Sequence, residues 1–195
     1  MSRRDQTPSQ TVGPFFHMRL GGAQENRLCA PAVAGALRLE GRVLDGEGQP
    51  VGDALLEVWQ ADGDGRFCHP LDRWPPEPGR FTGFGRATTN AKTGAYAFET
   101  RKPGRVRDAA GAWQAPHLSV VVFARGLLGH LYTRVYFDDE VRPNAEDPVL
   151  SSVPPERRRT LVASRVTAGS PGDVPDVYRH DLVLQGEGET VFFDV

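Results

Sequence analysis

Apolar and polar residues alternate with a period of two along several short stretches of this chain. Leu37 to Leu44 reads LRLEGRVL, the mark of a strand with one wetted face. Asp45-Gly46-Glu47-Gly48 then supplies a turn. Ala54 to Gln60 forms the next strand, followed by a second turn at Asp62-Gly63-Asp64-Gly65. Gly83 to Thr89 and Ala95 to Thr100 read as a hairpin pair around a turn at Asn90 to Gly94. The two most apolar stretches are Leu118 to Phe123 and Leu131 to Phe137, joined by a connection that contains Gly126 and Gly129. Tyr178 to Leu184 and Thr190 to Phe193 close the chain as two further strands. Between them, Asp138 to Leu161 holds charges and prolines, with short helical turns expected near Val149-Leu150 and Arg157-Arg158-Arg159. Cys68 to Gly79 and Lys102 to Pro116 read as irregular loops. About eight strands with regular turn punctuation predict an all-β protein, a two-sheet β-sandwich with long loops. The sandwich would span residues 37–195, preceded by an N-terminal arm and lead-in over 1–36.

Composition sharpens that picture. The 22 glycines and 16 prolines are spread along the chain, as turn residues are in an all-β fold. A net charge of −2, with both signs mixed throughout, offers no basic face for nucleic acid. No apolar run approaches the ~20 residues that cross a bilayer. Arg3 and Arg4 are not followed by the apolar stretch of a secretory signal, so a cytoplasmic location is expected, with Cys29 and Cys68 as reduced thiols.

Thr7 to Phe16 (TPSQTVGPFF) breaks the alternation altogether. Pro8 and Pro14 fix the backbone and Gly13 frees it locally, while Phe15 and Phe16 give the segment an apolar foot. Such a stiffened arm presents backbone and small polar groups to a ligand or a neighbouring subunit; a lead-in clipped to its own domain is the competing reading.

Three groups of residues invite a chemical reading. Asp62-Gly63-Asp64-Gly65 carries the opening of a calcium loop without its later acidic positions, and a hairpin turn accounts for it. The histidines are His17, His69, His117, His130 and His180. On a strand, residues i and i+2 point the same way, so a histidine pair at that spacing can hold a transition metal. His117 begins a strand, but the i+2 position is Ser119, a poor ligand. A hydrogen-bonded histidine at a strand start is the competing reading. Arg134 lies mid-strand on the face shared with Tyr132 and Tyr136, where a guanidinium can rest on phenols and still offer its fork to a carboxylate. A solvated arginine or an internal ion pair is the alternative.

Four motifs in order carry a family resemblance from about residue 7 to the C-terminus. They are the arm Thr7 to Phe16, Leu56 to Phe67 (LEVWQADGDGRF), Trp113 to Ser119 (WQAPHLS) and Gly126 to Phe137 (GLLGHLYTRVYF). Together they resemble the intradiol ring-cleaving dioxygenases, the last motif being similar to the α-type chain of members built from α and β subunits. The resemblance implies a ferric ion held by two tyrosines and two histidines. In this chain the tyrosine positions fall at Phe67 and near Arg105-Val106, and the histidine positions at His117 and Ser119; Gln114 stands where an arginine is expected. Metal binding by this chain is therefore not expected: Phe67, Val106 and Ser119 replace ligands, and His117 is vestigial. No catalytic residue is assigned to the chain itself. The implied partner is a β subunit carrying Fe(III), which uses O2 to open protocatechuate, a small aromatic carboxylate, to 3-carboxy-cis,cis-muconate. The implied substrate-binding residues are Thr11, Gly13, Pro14 and Arg134. A β-sandwich binding or carrier module with no part in oxidation is the rival.

Overall fold

The computed structural model describes residues 6–30, 35–71, 81–167 and 175–194. Among them are helices α1 (Phe15–Leu20), α2 (Val141–Glu146) and α3 (Pro148–Ser152), and a 3-10 turn at Arg158–Leu161. The strands are β1 (Ala36–Leu44), β2 (Leu55–Trp59), β3 (Phe84–Thr88), β4 (Ala95–Arg101), β5 (Val106–Arg107) and β6 (Trp113–Gln114). They continue with β7 (His117–Phe123), β8 (Leu131–Phe137), β9 (Val162–Thr167), β10 (Asp176–Arg179) and β11 (Leu182–Val183). The all-β expectation holds. One mixed, nine-stranded sheet runs β11-β1-β10-β9-β8-β7-β2-β3, with β4 paired to β1, and β5 and β6 form a small second sheet. The path is thin at the parallel β8–β9 junction, which is held by Tyr136 opposite Val162 and Phe137 opposite Ala163.

Period-two patterning placed six strands to within a residue or so. In β1, β4 and β7 the apolar alternates are the buried ones, as the pattern requires. Their inward residues meet in one core that includes Leu39, Leu56, Phe98, Leu118, Val135 and Tyr178. The turns also follow from their residues. The Asp45 carboxylate accepts from the Glu47 and Gln49 amides, and the Asn90 side-chain Oδ1 accepts from the Lys92 and Thr93 amides.

The chain departs from expectation at its C-terminal end. The single strand expected over 178–184 is two strands, both parallel to β1, broken at His180-Asp181. The break arises because the His180 carbonyl turns inward to accept a hydrogen bond from the buried Tyr96 hydroxyl at 2.7 Å. Thr190 to Phe193 is not a strand, apart from one bridge between Phe193 and Tyr132. Its backbone groups go to scattered partners: the Val191 carbonyl accepts from the Thr133 hydroxyl, its amide donates to Thr160, and the Phe193 amide donates to Tyr132. Among the described residues eleven strands stand where eight were expected: Thr190 to Phe193 drops out, the 178–184 strand splits, and β5, β6 and β9 are added, with β5, β6 and β11 only two residues each and too short to show a period. α1, α2 and β9 were also unforeseen, while the helical turns near 149–150 and 157–159 are present as α3 and the 3-10 turn. Residues 72–80 of the Pro-rich loop, with Arg3 and Arg4, lie outside the described residues. Among the described residues, no helix is long and apolar enough to cross a membrane.

At the β1–β10 seam a Cβ on Gly41 would collide with the His180 carbonyl oxygen and crowd the Tyr96 hydroxyl. Gly41→Ala should destabilise the fold by about 2–4 kcal/mol, since backbone must move to admit the methyl group. Urea denaturation checks this; a loss below about 0.5 kcal/mol would show that the seam is looser than its geometry.

Candidate functional site

β2 ends at Trp59, and the chain doubles back through the Asp62 turn. There the Asp62 carboxylate accepts from the amides of Asp64 and Arg66, each at 2.9 Å. Committed to its own backbone, that carboxylate makes a turn rather than a calcium loop. Gly65, with φ of 78°, lies against the Arg105 carbonyl, and the Gly104 amide donates to the Asp62 carbonyl at 2.7 Å. The turn is thereby held against the segment that leads into β5. Two consequences follow: Phe67 stacks on Trp59 at 5.9 Å with the rings nearly parallel, and Val106 comes to lie beside it.

The other wall comes from β7. His117 and Ser119 alternate outward from the core, and Ser119 stands opposite Trp59 on β2 and Arg134 on β8. Phe67, Val106, His117 and Ser119 line one cavity of about 10 Å³, closed further by Trp59 and Gln60. The structure thus gathers the four positions where the resemblance places iron ligands, which are up to 52 residues apart in sequence, at one point. Phenylalanine and valine offer no donor atom, and Ser119 shares its hydroxyl with the Tyr132 phenol at 3.1 Å. The space suits about one water. A ferric ion, which wants several oxygen and nitrogen donors, does not fit these residues. Among the described residues no cluster of three or more His, Cys, Asp or Glu is placed to hold a metal ion. His17, His69, His130 and His180 are not brought to this cavity.

His117 donates from Nδ1 to the Ala115 carbonyl at 2.8 Å, because a carbonyl can only accept. Burial, followed by the positive charge of Arg134, pulls the imidazole down to about 4, against the opposing pull of the Ala115 carbonyl and Asp147. Arg134 projects from β8 and donates from Nη1 to Gln114 Oε1 at 2.8 Å. Burial by itself would lower its pKa, but hydrogen bonds and the electrostatic pull of the Tyr136 and Tyr132 phenols raise it instead. Its Nε–H is buried and has no acceptor. The expected face-sharing with Tyr132 and Tyr136 is therefore real. Tyr136 in turn donates to the fully buried carboxylate of Asp147 at 3.1 Å, and burial, with that carboxylate next, raises the phenol's pKa.

The arm docks elsewhere. Thr11 Oγ1 accepts from the Gly126 amide at 2.7 Å, in the β7–β8 turn, and Phe16 packs on Phe123 at 5.2 Å. Phe15, expected as half of the apolar foot, is 74% exposed. Thr11, Gly13 and Pro14 are exposed, and a Cβ at Gly13 would meet nothing within 4 Å. Five residues of β7 and its turn, about 16 Å at ~3.3 Å per residue, separate Ser119 beside Arg134 from Ala124 beside Thr11. Within this chain the arm and the arginine do not form one pocket. Sequence reasoning missed Asp147 and treated Gln114 only as a missing arginine. The Asp147-Pro148 pair, a helix-start signature, was the available signal for the first.

Residues 13–186 match the Dioxygenase family model. The protocatechuate 3,4-dioxygenase alpha chain of Burkholderia cepacia is 47% identical over 206 residues, covering 100% of both chains. The beta chain of the same name from that organism is 32% identical over 187 residues, covering 93% of this chain and 77% of that one. Among solved structures, the dioxygenase domain of a carbohydrate-binding fusion from Streptomyces sp. SirexAA-E superposes with a TM-score of 0.58 at 24% identity, covering 93% of this chain and 99% of that one.

Between about pH 6.5 and 4, unfolded chains bind a proton at His117 that folded chains do not, so this residue's contribution to stability falls as pH falls through that window. Nitrogen-15 NMR at pH 6 should find the ring neutral and protonated on Nδ1. An imidazolium signal at that pH would contradict the burial and hydrogen bond described.

Proposed function

This chain belongs to the intradiol ring-cleaving dioxygenase family, and on that footing we propose that it is the iron-free subunit of a two-chain protocatechuate 3,4-dioxygenase. The proposed partner is the homologous β subunit, which holds Fe(III) and, with O2, converts protocatechuate to 3-carboxy-cis,cis-muconate. One observation carries the reading: the four ligand positions converge on a single small cavity, yet phenylalanine, valine and serine occupy three of them. A β chain 32% identical to this one supports a partner of the same fold that keeps its ligands. Iron would supply the activation of the substrate ring toward O2, and that chemistry belongs to the partner.

This chain's part is to shape and charge the substrate's surroundings. Thr11, Gly13 and Pro14 are proposed to line the pocket. Their open positions in the arm support that role, since nothing in their own chain covers Gly13. Arg134 is proposed to meet or electrostatically favour the ring carboxylate. A partly desolvated charge-assisted contact of that kind contributes on the order of 1.5–3 kcal/mol and selects protocatechuate over catechol, which has no carboxylate. Because the arm is tied to the β7–β8 turn while the guanidinium of mid-strand Arg134 is drawn the other way, toward Gln114, one substrate would meet them from different copies of the chain within a larger hetero-oligomer.

The finer architecture belongs to the same proposal. β3 and β4, distant along the sheet path, pack together around the main core, which supports a two-layer sandwich folded at the thin β8–β9 junction. Cys29 and Cys68 are free thiols, which suits a cytoplasmic assembly.

Coexpression with the β-type chain tests the function. It should yield a red ferric complex containing both chains, and this chain purified alone should hold no stoichiometric iron. Separate purification of two uncomplexed chains would favour a carrier module instead. In the complex, Arg134→Ala should raise KM for protocatechuate about tenfold or more with the iron absorption band unchanged; an unaltered KM would remove Arg134 from the substrate's surroundings.

A further inference from the structure

We propose that Gln114 is a positioning residue for substrate selectivity, because it orients the Arg134 guanidinium without cancelling its charge. The inference rests on the reading that Arg134 meets or favours the substrate carboxylate, and it names what keeps that arginine available.

The guanidinium donates to the neutral side-chain amide of Gln114, and the groups that flank it on its face of β8 are the phenols of Tyr132 and Tyr136. A half-buried arginine usually gains a carboxylate partner, and a carboxylate here would both fix the fork and neutralise it. The amide oxygen of Gln114 does only the first. It reaches Nη1 at 2.8 Å from a side chain that is 8% exposed, so solvent does not compete for the bond.

The support beneath Gln114 is rigid. Its backbone pairs with Val106 in the small β5–β6 sheet, and the next residue, Ala115, donates its amide to Asp147 at 2.7 Å. Asp147 holds the other side as well, since it accepts from the Tyr136 hydroxyl. With the Leu150 amide as a third donor, the Asp147 carboxylate is committed to its own neighbours and connects to Arg134 through the Tyr136 phenol. What remains is a positive group, fixed on two sides, with a buried Nε–H that lacks an acceptor. An unsatisfied buried donor beside an uncancelled charge is the arrangement an incoming oxyanion completes.

Gln and Glu are nearly the same shape, so Gln114→Glu replaces an orienting acceptor with a neutralising one. In the assembled two-chain enzyme it should lower kcat/KM for protocatechuate relative to catechol on the order of tenfold, mainly through KM. Gln114→Asn, which withdraws the oxygen by one methylene, should lower the same ratio less. It also carries the test if Gln114→Glu fails to assemble. Arg134→Gln, measured alongside, sets the full effect of losing the charge. If Arg134→Gln collapses the ratio while the Gln114 variants leave it unchanged, the positioning role is wrong and the reading of Arg134 stands. If the Gln114 variants lower turnover of both substrates equally, Gln114 is only structural and the proposal fails. If Arg134→Gln leaves the ratio untouched, the reading of Arg134 itself falls, and this inference with it.

Discussion

A buried carboxylate organises this end of the molecule. Asp147 has no exposed surface, and its two oxygens accept from the Ala115 amide, the Leu150 amide and the Tyr136 hydroxyl. Each bond fixes a different element. The Leu150 bond caps α3 at its first turn, the Ala115 bond holds the segment entering β7, and the Tyr136 bond anchors β8. Burying an ionised group without such donors would cost several kcal/mol, so the three elements cannot drift apart independently. The placement of His117, two residues beyond Ala115, and of Arg134, two residues before Tyr136, descends from this clamp.

On that frame, the small cavity between β2, β5 and β7 is closed by packing. Phe67 does not simply lack the oxygen of a tyrosine; its ring stacks on Trp59 and contributes apolar contact. Val106 is almost wholly buried, and Ser119 bonds to Tyr132. With those contacts made, little room is left, and His117 settles as a neutral ring bonded to a carbonyl. At the four positions where the family resemblance places ligands, the side chains that lack donors are the same ones that fill the space.

Much of this was legible in the sequence, for reasons that differ by element. β1, β4 and β7 have one buried face and enough length to display a period, so alternation located them, and β8 was located as a long apolar run. β5, β6 and β11 are two residues long and exist through long-range pairing, which no local pattern records. The break at His180 depends on a hydroxyl 84 positions away, and the failure of Thr190 to Phe193 as a strand depends on Thr133 and Thr160. The donor count at the cavity could be read residue by residue once the motifs were aligned in order. The meaning of Gln114 could not: from sequence it is a vacancy where an arginine was expected, and only the hydrogen bond to Arg134 shows that it has a task of its own.

The distance between the arm and Arg134 constrains any assembly. Thr11 is tied to the turn at Gly126, whereas Gln114 draws the guanidinium toward the opposite end of the β7–β8 hairpin. Ser119, opposite Arg134, and Ala124, beside Thr11, lie about 16 Å apart along the strand. A single-ring carboxylate is shorter than that gap. The arm is open to solvent at Gly13 and Pro14, whereas Arg134 is half-buried between Tyr132 and Tyr136. The proposed reading, in which one substrate feels both, therefore sets this chain's arm against one neighbour and its arginine against another. A one-to-one pair that buries only a single face of this chain would deliver one of the two contributions and leave the other without a ligand.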